Sequence, residues 1–356
     1  MSPAIQNTTS GNPSAGGDRG KATIYDVAER AGVAISTVSR VLNDSNDVSE
    51  QTRERVSKAI EELQFRPDRT AKTLAKKHTR SLAIAIPTFT TPFHNELLKG
   101  VRMRLREYDV DLLLCDLGST APHKTLMNFL KRGTVDGLLL AGLPLDERVA
   151  QELKALHSPV VLIGYQWPDF DSYYWDDVEG ARTAVNHLIR HGHRRIGLIR
   201  THSYSPLQDR RLQGYREALE AANIPYDPDL VQGGQTLKHA GFSEESGYEA
   251  MQQLLSLGDP ATAVFASSDV QAIGAWKAIR DAGKQVPKDV ALVGYDDIKT
   301  SHYIGLSSID QSMHEVGEEA TEMLIQRMQG DRTTPVVDKK IMPKLIIRES
   351  SQPTHA

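Results

Sequence analysis

The chain has 356 residues, 39% of them hydrophobic and 25% charged, with a net charge of −4 at pH 7. That length is too great for one ordinary domain and fits two or three. The single cysteine, Cys115, excludes a disulfide framework, and no apolar run approaches the roughly 20 residues needed to cross a bilayer. Charge is unevenly placed: residues 21–80 hold twelve Lys/Arg and nine Asp/Glu, a net +3 on an acidic remainder. A basic module on an acidic body points to local contact with nucleic acid.

Residues 1–20 are rich in Ser, Gly, Asn and Pro and hold no apolar stretch that could act as a signal peptide, so a disordered tail and a cytoplasmic protein are expected. The next stretch, 23–43, predicts two short helices joined by a tight turn. Ile24, Val27, Ala28 and Ala31 fall at i, i+3, i+4 and i+7, Thr23 with Asp26 forms a capping-box pattern, and Gly32 breaks the period. In the second helix Val38, Val41 and Leu42 face inward, and Ser36, Thr37, Ser39 and Arg40 face outward. Such a pair is a helix-turn-helix, whose second helix fits the DNA major groove. A third helix is expected from Ser49 to about Leu63, buried through Val56, Ala59, Ile60 and Leu63. Residues 66–80 carry six cationic side chains against one acidic, with Ala71, Leu74 and Ala75 on one face. They read as a hinge that becomes helical when DNA neutralises its charge, or as a solvated linker.

On these residues the chain resembles the LacI/GalR family of bacterial transcription regulators. The resemblance is carried by Asp26-Val27-Ala28, Ala31-Gly32-Val33, Thr37-Val38-Ser39-Arg40-Val41-Leu42-Asn43, Val48-Ser49, Thr52-Arg53, Arg66-Pro67 and Ala71-Lys72-Thr73-Leu74, and it spans about Lys21 to Ser350. It implies a DNA-facing set of Thr23, Ile35, Ser36, Thr37, Ser39, Arg40, Asn43, Lys72 and Leu74. Arg40 suits guanine O6 and N7, and Leu74 aligns with the family leucine that wedges into a central base step from the minor groove. Two positions depart from common usage: Ile35 is apolar, and Ala34 replaces the usual serine cap.

From Ser81 onward short apolar strands alternate with amphipathic helices. Strands are expected at 82–86, 111–115, 137–141 and 160–163, then at 196–200, 230–233, 262–266 and 290–294, with a last one at 345–347. Helices are expected near 93–108, 122–132, 146–156, 178–191, 209–222, 243–257 and 269–282. Strands buried on both faces and joined by helices imply parallel doubly wound sheets, with ligands at the carboxyl ends of the strands. The fold class expected is therefore an all-α headpiece on an α/β body of two such lobes, which the resemblance likens to periplasmic binding proteins. Its implied divisions are a headpiece at 21–66, a hinge at 67–80, lobe one at 81–176 and 311–342, and lobe two at 177–310 and 343–350.

No Gly-x-Gly-x-x-Gly or Walker-type loop follows a strand, and no Ser/His/Asp or Cys/His set stands out, so catalysis and a cofactor are not expected. His187, His191 and His193 are near one another, but Gly192 breaks their run at a helix end, so no metal is expected. His314-Glu315-Val316-Gly317-Glu318 lacks the second histidine of a zinc-protease motif. Between the lobes, the resemblance matches Arg211 and Asp296 to effector-binding residues, with Asp176 as a further acid. Phe93, Tyr165 and Phe265 are the expected walls, Trp167 is equally placed for wall or core, and Trp276 reads as packing or interface. Such a set suits a sugar or its phosphate, and also a nucleoside. The reading that results is a homodimeric, sequence-specific regulator, in the first instance a repressor, acting on a palindromic operator under the control of a small molecule. The alternatives are a nucleoside- or purine-responsive regulator of the same type and, after it, a sugar-binding protein without a DNA role.

Overall fold

The computed structural model describes residues 22–42, 45, 47–65, 80–118, 120–132, 135–156, 158–201, 205–331 and 333–352. The chain divides into two compact units, 1–77 and 78–356. The first is built from helices α1 (Ile24–Ala31), α2 (Ile35–Leu42) and α3 (Glu50–Glu62). Thr23 caps α1 through a reciprocal box: its Oγ1 accepts from the Asp26 amide at 3.4 Å, and Asp26 Oδ2 accepts from the Thr23 amide at 2.7 Å. Gly32 closes α1 at φ 64°, a conformation that a Cβ would disfavour. Val27, Val38 and Val56 are fully buried, one from each helix, and Phe65 closes their common core. An Arg30–Glu62 pair joins α1 to α3 at the surface and adds little.

The second unit continues with β1 (Ser81–Ile86), α4 (Pro92–Leu105), β2 (Asp111–Asp116), α5 (Pro122–Arg132), β3 (Gly137–Ala141), α6 (Glu147–Lys154), β4 (Val160–Ile163), β5 (Asp171–Trp175) and α7 (Asp177–Arg190). Then come β6 (Ile196–Ile199), α8 (Pro206–Ala221), β7 (Val231–Gln232), α9 (Glu244–Ser256), β8 (Ala263–Ala266), α10 (Asp269–Asp281) and β9 (Ala291–Asp296). It ends with α11 (Lys299–Ile304), β10 (Ser307–Asp310), α12 (Met313–Met328), β11 (Asp338–Ile341) and β12 (Lys344–Ile346).

These strands make two six-stranded sheets, ordered β11-β5-β4-β3-β1-β2 and β12-β10-β9-β8-β6-β7. The chain thus passes from the first lobe to the second after Trp175, returns after Asp310 and passes again after Ile341. Among the described residues all pairings are parallel except one: β12 runs antiparallel to β10, which corrects the expectation of wholly parallel sheets. β12 follows β11 after a short connection and reaches the second sheet only at its edge, where no crossover helix imposes a parallel entry. The strands β5, β10 and β11 lie outside the expected set. Ser-Ser-Ile-Asp carries no apolar run, Asp-Ser-Tyr-Tyr-Trp carries only aromatics, and the ladders of both are supplied by neighbouring strands. The run at β2 is also less buried than its composition suggests: Cys115 is buried, but Leu113 and Leu114 stay 41% and 48% exposed on this edge strand.

Lobe one is closed by α4 and α12, which cross so tightly that a Cβ at Gly100 would lie 1.9 Å from the His314 carbonyl oxygen. Beside them Arg327 commits all five of its N–H groups. Nε and Nη2 donate to the two oxygens of Asp171 at 2.9 Å each, and the rest go to the carbonyls of Asp331, Thr334 and Pro335. The segment entering β11 is pinned to β5 by this side chain.

Candidate functional site

In the first unit α2 turns Val38 and Val41 inward, so Ile35, Ser36, Ser39 and Arg40 share the opposite face. Ile35, Ser36 and Arg40 are exposed, Thr37 and Ser39 half-buried, and Thr23 is exposed at the start of α1. The exposed Ile35 is 40% accessible, an apolar group held where a groove-reading helix would present it. Asn43, Lys72 and Leu74, with the tail and nearly all of the hinge expected at 67–80, lie outside the described residues.

In the second unit a cavity of about 520 Å³ opens between the two lobes at the carboxyl ends of both sheets. Four of the expected residues meet there: Phe93 and Tyr165 from lobe one, Arg211 and Asp296 from lobe two. Two do not. Phe265 is fully buried in the middle of β8, where strand alternation turns it onto Tyr295 and the helices α7 and α8. Asp176 points away, capping α7 by accepting from the Glu179 amide at 3.0 Å and pairing with Lys340 Nζ at 2.6 Å. Trp167 packs on the lobe-one core and Trp276 on that of lobe two.

The neighbour of Asp176, Asp177, turns instead to Arg211. Asp177 is 2% exposed and accepts through Oδ1 from Arg211 Nε at 3.0 Å, with Nη2 at 2.9 Å. Arg211 Nη1 donates to the Ser267 carbonyl, and its guanidinium lies 3.6 Å above the Tyr295 ring. The arginine is therefore fixed before any ligand arrives. Asp296 sits at the end of β9 with φ 115°, a strained backbone for a non-glycine residue. Burial pushes its carboxyl well above the ordinary range, Arg211 opposes this, and Asp269 and Asp177 add to it. Asp269 is pushed up to about 7 by burial, against hydrogen bonds from Ser301, Ser308 and the Ile298 amide.

Asp296 is also tied to the lobe crossings. Gln311 Nε2 donates to its Oδ1 at 2.8 Å, and the Gln311 carbonyl accepts from Trp175 Nε1 at 2.7 Å. Trp175 meets Phe93 edge-on at 6.4 Å. One polar chain thus joins a cavity acid to two of the three lobe crossings and back to a cavity wall.

The sequence reading missed His94, Asp116, His239 and Phe242, all of which line the cavity. Phe242 stands one residue before the Ser243 cap of α9 and Phe93 two residues after the Thr91 cap of α4, so an aromatic near a helix start was the usable signal. His94 Nδ1 lies 2.6 Å from Thr91 Oγ1. Burial, with His239 across the cleft, pushes the His94 imidazole down to about 4, so it is uncharged at neutral pH. The three clustered histidines are bonded elsewhere: His187 to Ser351 Oγ, His191 to the His187 carbonyl and His193 to Thr262 Oγ1. Among the described residues no helix is long and apolar enough to cross a membrane.

Residues 23–68 match the bacterial regulatory proteins of the lacI family, and residues 185–351 match the periplasmic binding protein-like domain. Among similar proteins, the HTH-type transcriptional regulator CelR of Thermobifida fusca is 36% identical over 93% of this chain and 99% of its own. The HTH-type transcriptional repressor CytR of Escherichia coli (strain K12) is 33% identical over 93% and 96%. Among solved structures, a CelR–cellobiose complex superposes with a TM-score of 0.66 at 35% identity, covering 93% of this chain and all of that one. The lac repressor dimer bound to operator and the anti-inducer ONPF gives 0.78 at 28%, covering 94% and 100%.

Proposed function

Since this chain belongs to the lacI family of bacterial regulatory proteins and is a DNA-binding transcriptional regulator, we propose that it is a cytoplasmic homodimer. It acts on a palindromic operator, chiefly as a repressor, and a carbohydrate in the interlobe cavity sets its affinity for that operator. The carrying observation is the cavity itself, where aromatic walls of one lobe face the fixed Arg211 and Asp296 of the other. Rings pack on the C–H faces of a sugar, while a guanidinium and a carboxyl match its hydroxyl pairs. The complex of the similar CelR with cellobiose supports this choice.

In this reading residues 21–66 read DNA through Thr23, Ile35, Ser36, Thr37, Ser39, Arg40 and Asn43, and residues 67–80 form a hinge that carries Lys72 and Leu74. Residues 81–176 with 311–342, and 177–310 with 343–350, are the lobes. A ligand that binds both lobes draws them together and reorients the paired hinges, an allosteric coupling through a two-state interface. The test is selection of bound sequences from random DNA, then a screen for small molecules that change operator binding. A palindromic site and a responding sugar are expected. An asymmetric site overturns the dimeric reading, and a screen in which no sugar acts overturns the carbohydrate reading.

A further inference from the structure

We infer that the cavity takes an uncharged ligand and rejects its phosphorylated form. This deepens the carbohydrate reading and rests on it. Among the described lining residues Arg211 is the only lysine or arginine, and its charge is already met by the buried Asp177. Two carboxyl groups also line the space, Asp116 from the end of β2 and Asp296 from the end of β9, one from each lobe. His94 adds no cation at neutral pH, for the burial described above. A phosphate drawn into this space would give up hydration with no lysine or arginine free to replace it, His239 being the one lining group that could still offer a positive charge, and it would face the Asp116 carboxylate.

Of the helix starts that line the cavity, α4 and α8 open on a proline, Pro92 and Pro206, so each lacks one amide donor where an anion would otherwise be held, while α10, lining through Ser268 and Val270, keeps its first amides but spends that of Gln271 on the Ser268 cap. The remaining amides and the free N–H groups of Arg211 suit hydroxyl oxygens, which carry no net charge. Asp116 and Asp296 in turn accept from hydroxyl hydrogens. The donor and acceptor inventory is that of a polyol site with phosphate left out.

The test titrates the full chain calorimetrically at about pH 8, where an imidazole in water is neutral. Cellobiose is paired with cellobiose phosphorylated on a primary hydroxyl, and cytidine with cytidine monophosphate. The expected result is that the uncharged member of a pair binds and its phosphate binds at least about tenfold more weakly. The penalty should shrink in Asp116→Asn and in higher salt, because it is electrostatic. A phosphorylated member that binds as tightly as its parent overturns the inference while leaving the carbohydrate reading intact. Binding by cytidine alone, with its phosphate excluded, supports the charge rule and overturns the carbohydrate reading. No binding by any member overturns both.

Discussion

The two lobes each bury one arginine–aspartate pair, and the pairs differ in what they leave over. In lobe one Arg327 with Asp171 commits all five N–H groups to protein acceptors. In lobe two Arg211 with Asp177 is equally buried, yet it bonds only Asp177 and the Ser267 carbonyl and faces the cavity. The chemistry is the same, and the unused donors make the difference. A fully committed buried pair fastens chain segments together; one with donors to spare, held rigid by its partner, is ready for a ligand.

The largest expected effect tests this contrast directly. Arg327→Ala and Arg211→Ala each strand a buried carboxylate and should each cost about 3–5 kcal/mol in urea unfolding. Only Arg211→Ala should also abolish binding of the ligand that acts on the operator complex. If Arg327→Ala abolishes it as well, the distinction between the two pairs fails.

Two phenylalanines repeat the contrast without charge. Phe265→Ala should lose about 3–5 kcal/mol of stability, because it empties a volume inside the lobe-two core. Phe93, only partly buried at the cavity wall, should lose less on the same change and weaken ligand binding by about 1–3 kcal/mol. Unfolding and titration curves for both variants separate the cases, and equal stability losses would erase the contrast.

The histidines extend it to pH. Burial pushes both His94 and His187 down to about 4, in the latter case aided by His191 and Arg190. Their unfolded value is about 6.5, so the unfolded chain takes protons first. The contribution of each is intact above about pH 6.5, decays below it and is gone below about 4, by up to about 3 kcal/mol. Melting temperatures between these limits should fall with acid, and His94→Gln or His187→Gln should each flatten the slope. Bound ligand should further protect only His94, which faces the cavity; equal protection of His187 would contradict the assignment.

The smallest effect concerns the adjacent acids. Asp176→Ala removes a helix cap and a half-exposed ion pair and should cost about 1 kcal/mol with ligand affinity unchanged. A clear loss of affinity on titration would restore Asp176 to the site.

The sequence by itself determined what depends on neighbours in the chain. The α1–α2 motif was legible because caps, turn glycine and apolar period lie within a few residues of one another, and the DNA-facing face follows from the period of one helix. The alternation of strands and helices was legible for the same reason, as were Phe93 and Tyr165, which follow strands, whereas Arg211 and Asp296 were reached through the family resemblance. Tertiary structure alone decided between Asp176 and Asp177, adjacent acids of which one turns to Lys340 and the other to Arg211. It also decided the fate of Phe265, whose strand position left the side it faces open until the helices were placed. Strands β10 and β11 carry too few apolar residues to announce themselves and exist because a neighbouring strand supplies hydrogen-bond partners, while β5 carried an aromatic signal in Tyr173-Tyr174-Trp175 that the reading passed over. Local pattern reports what a segment can bury; which charge meets which charge is set by residues far apart in the chain, and only packing brings them together.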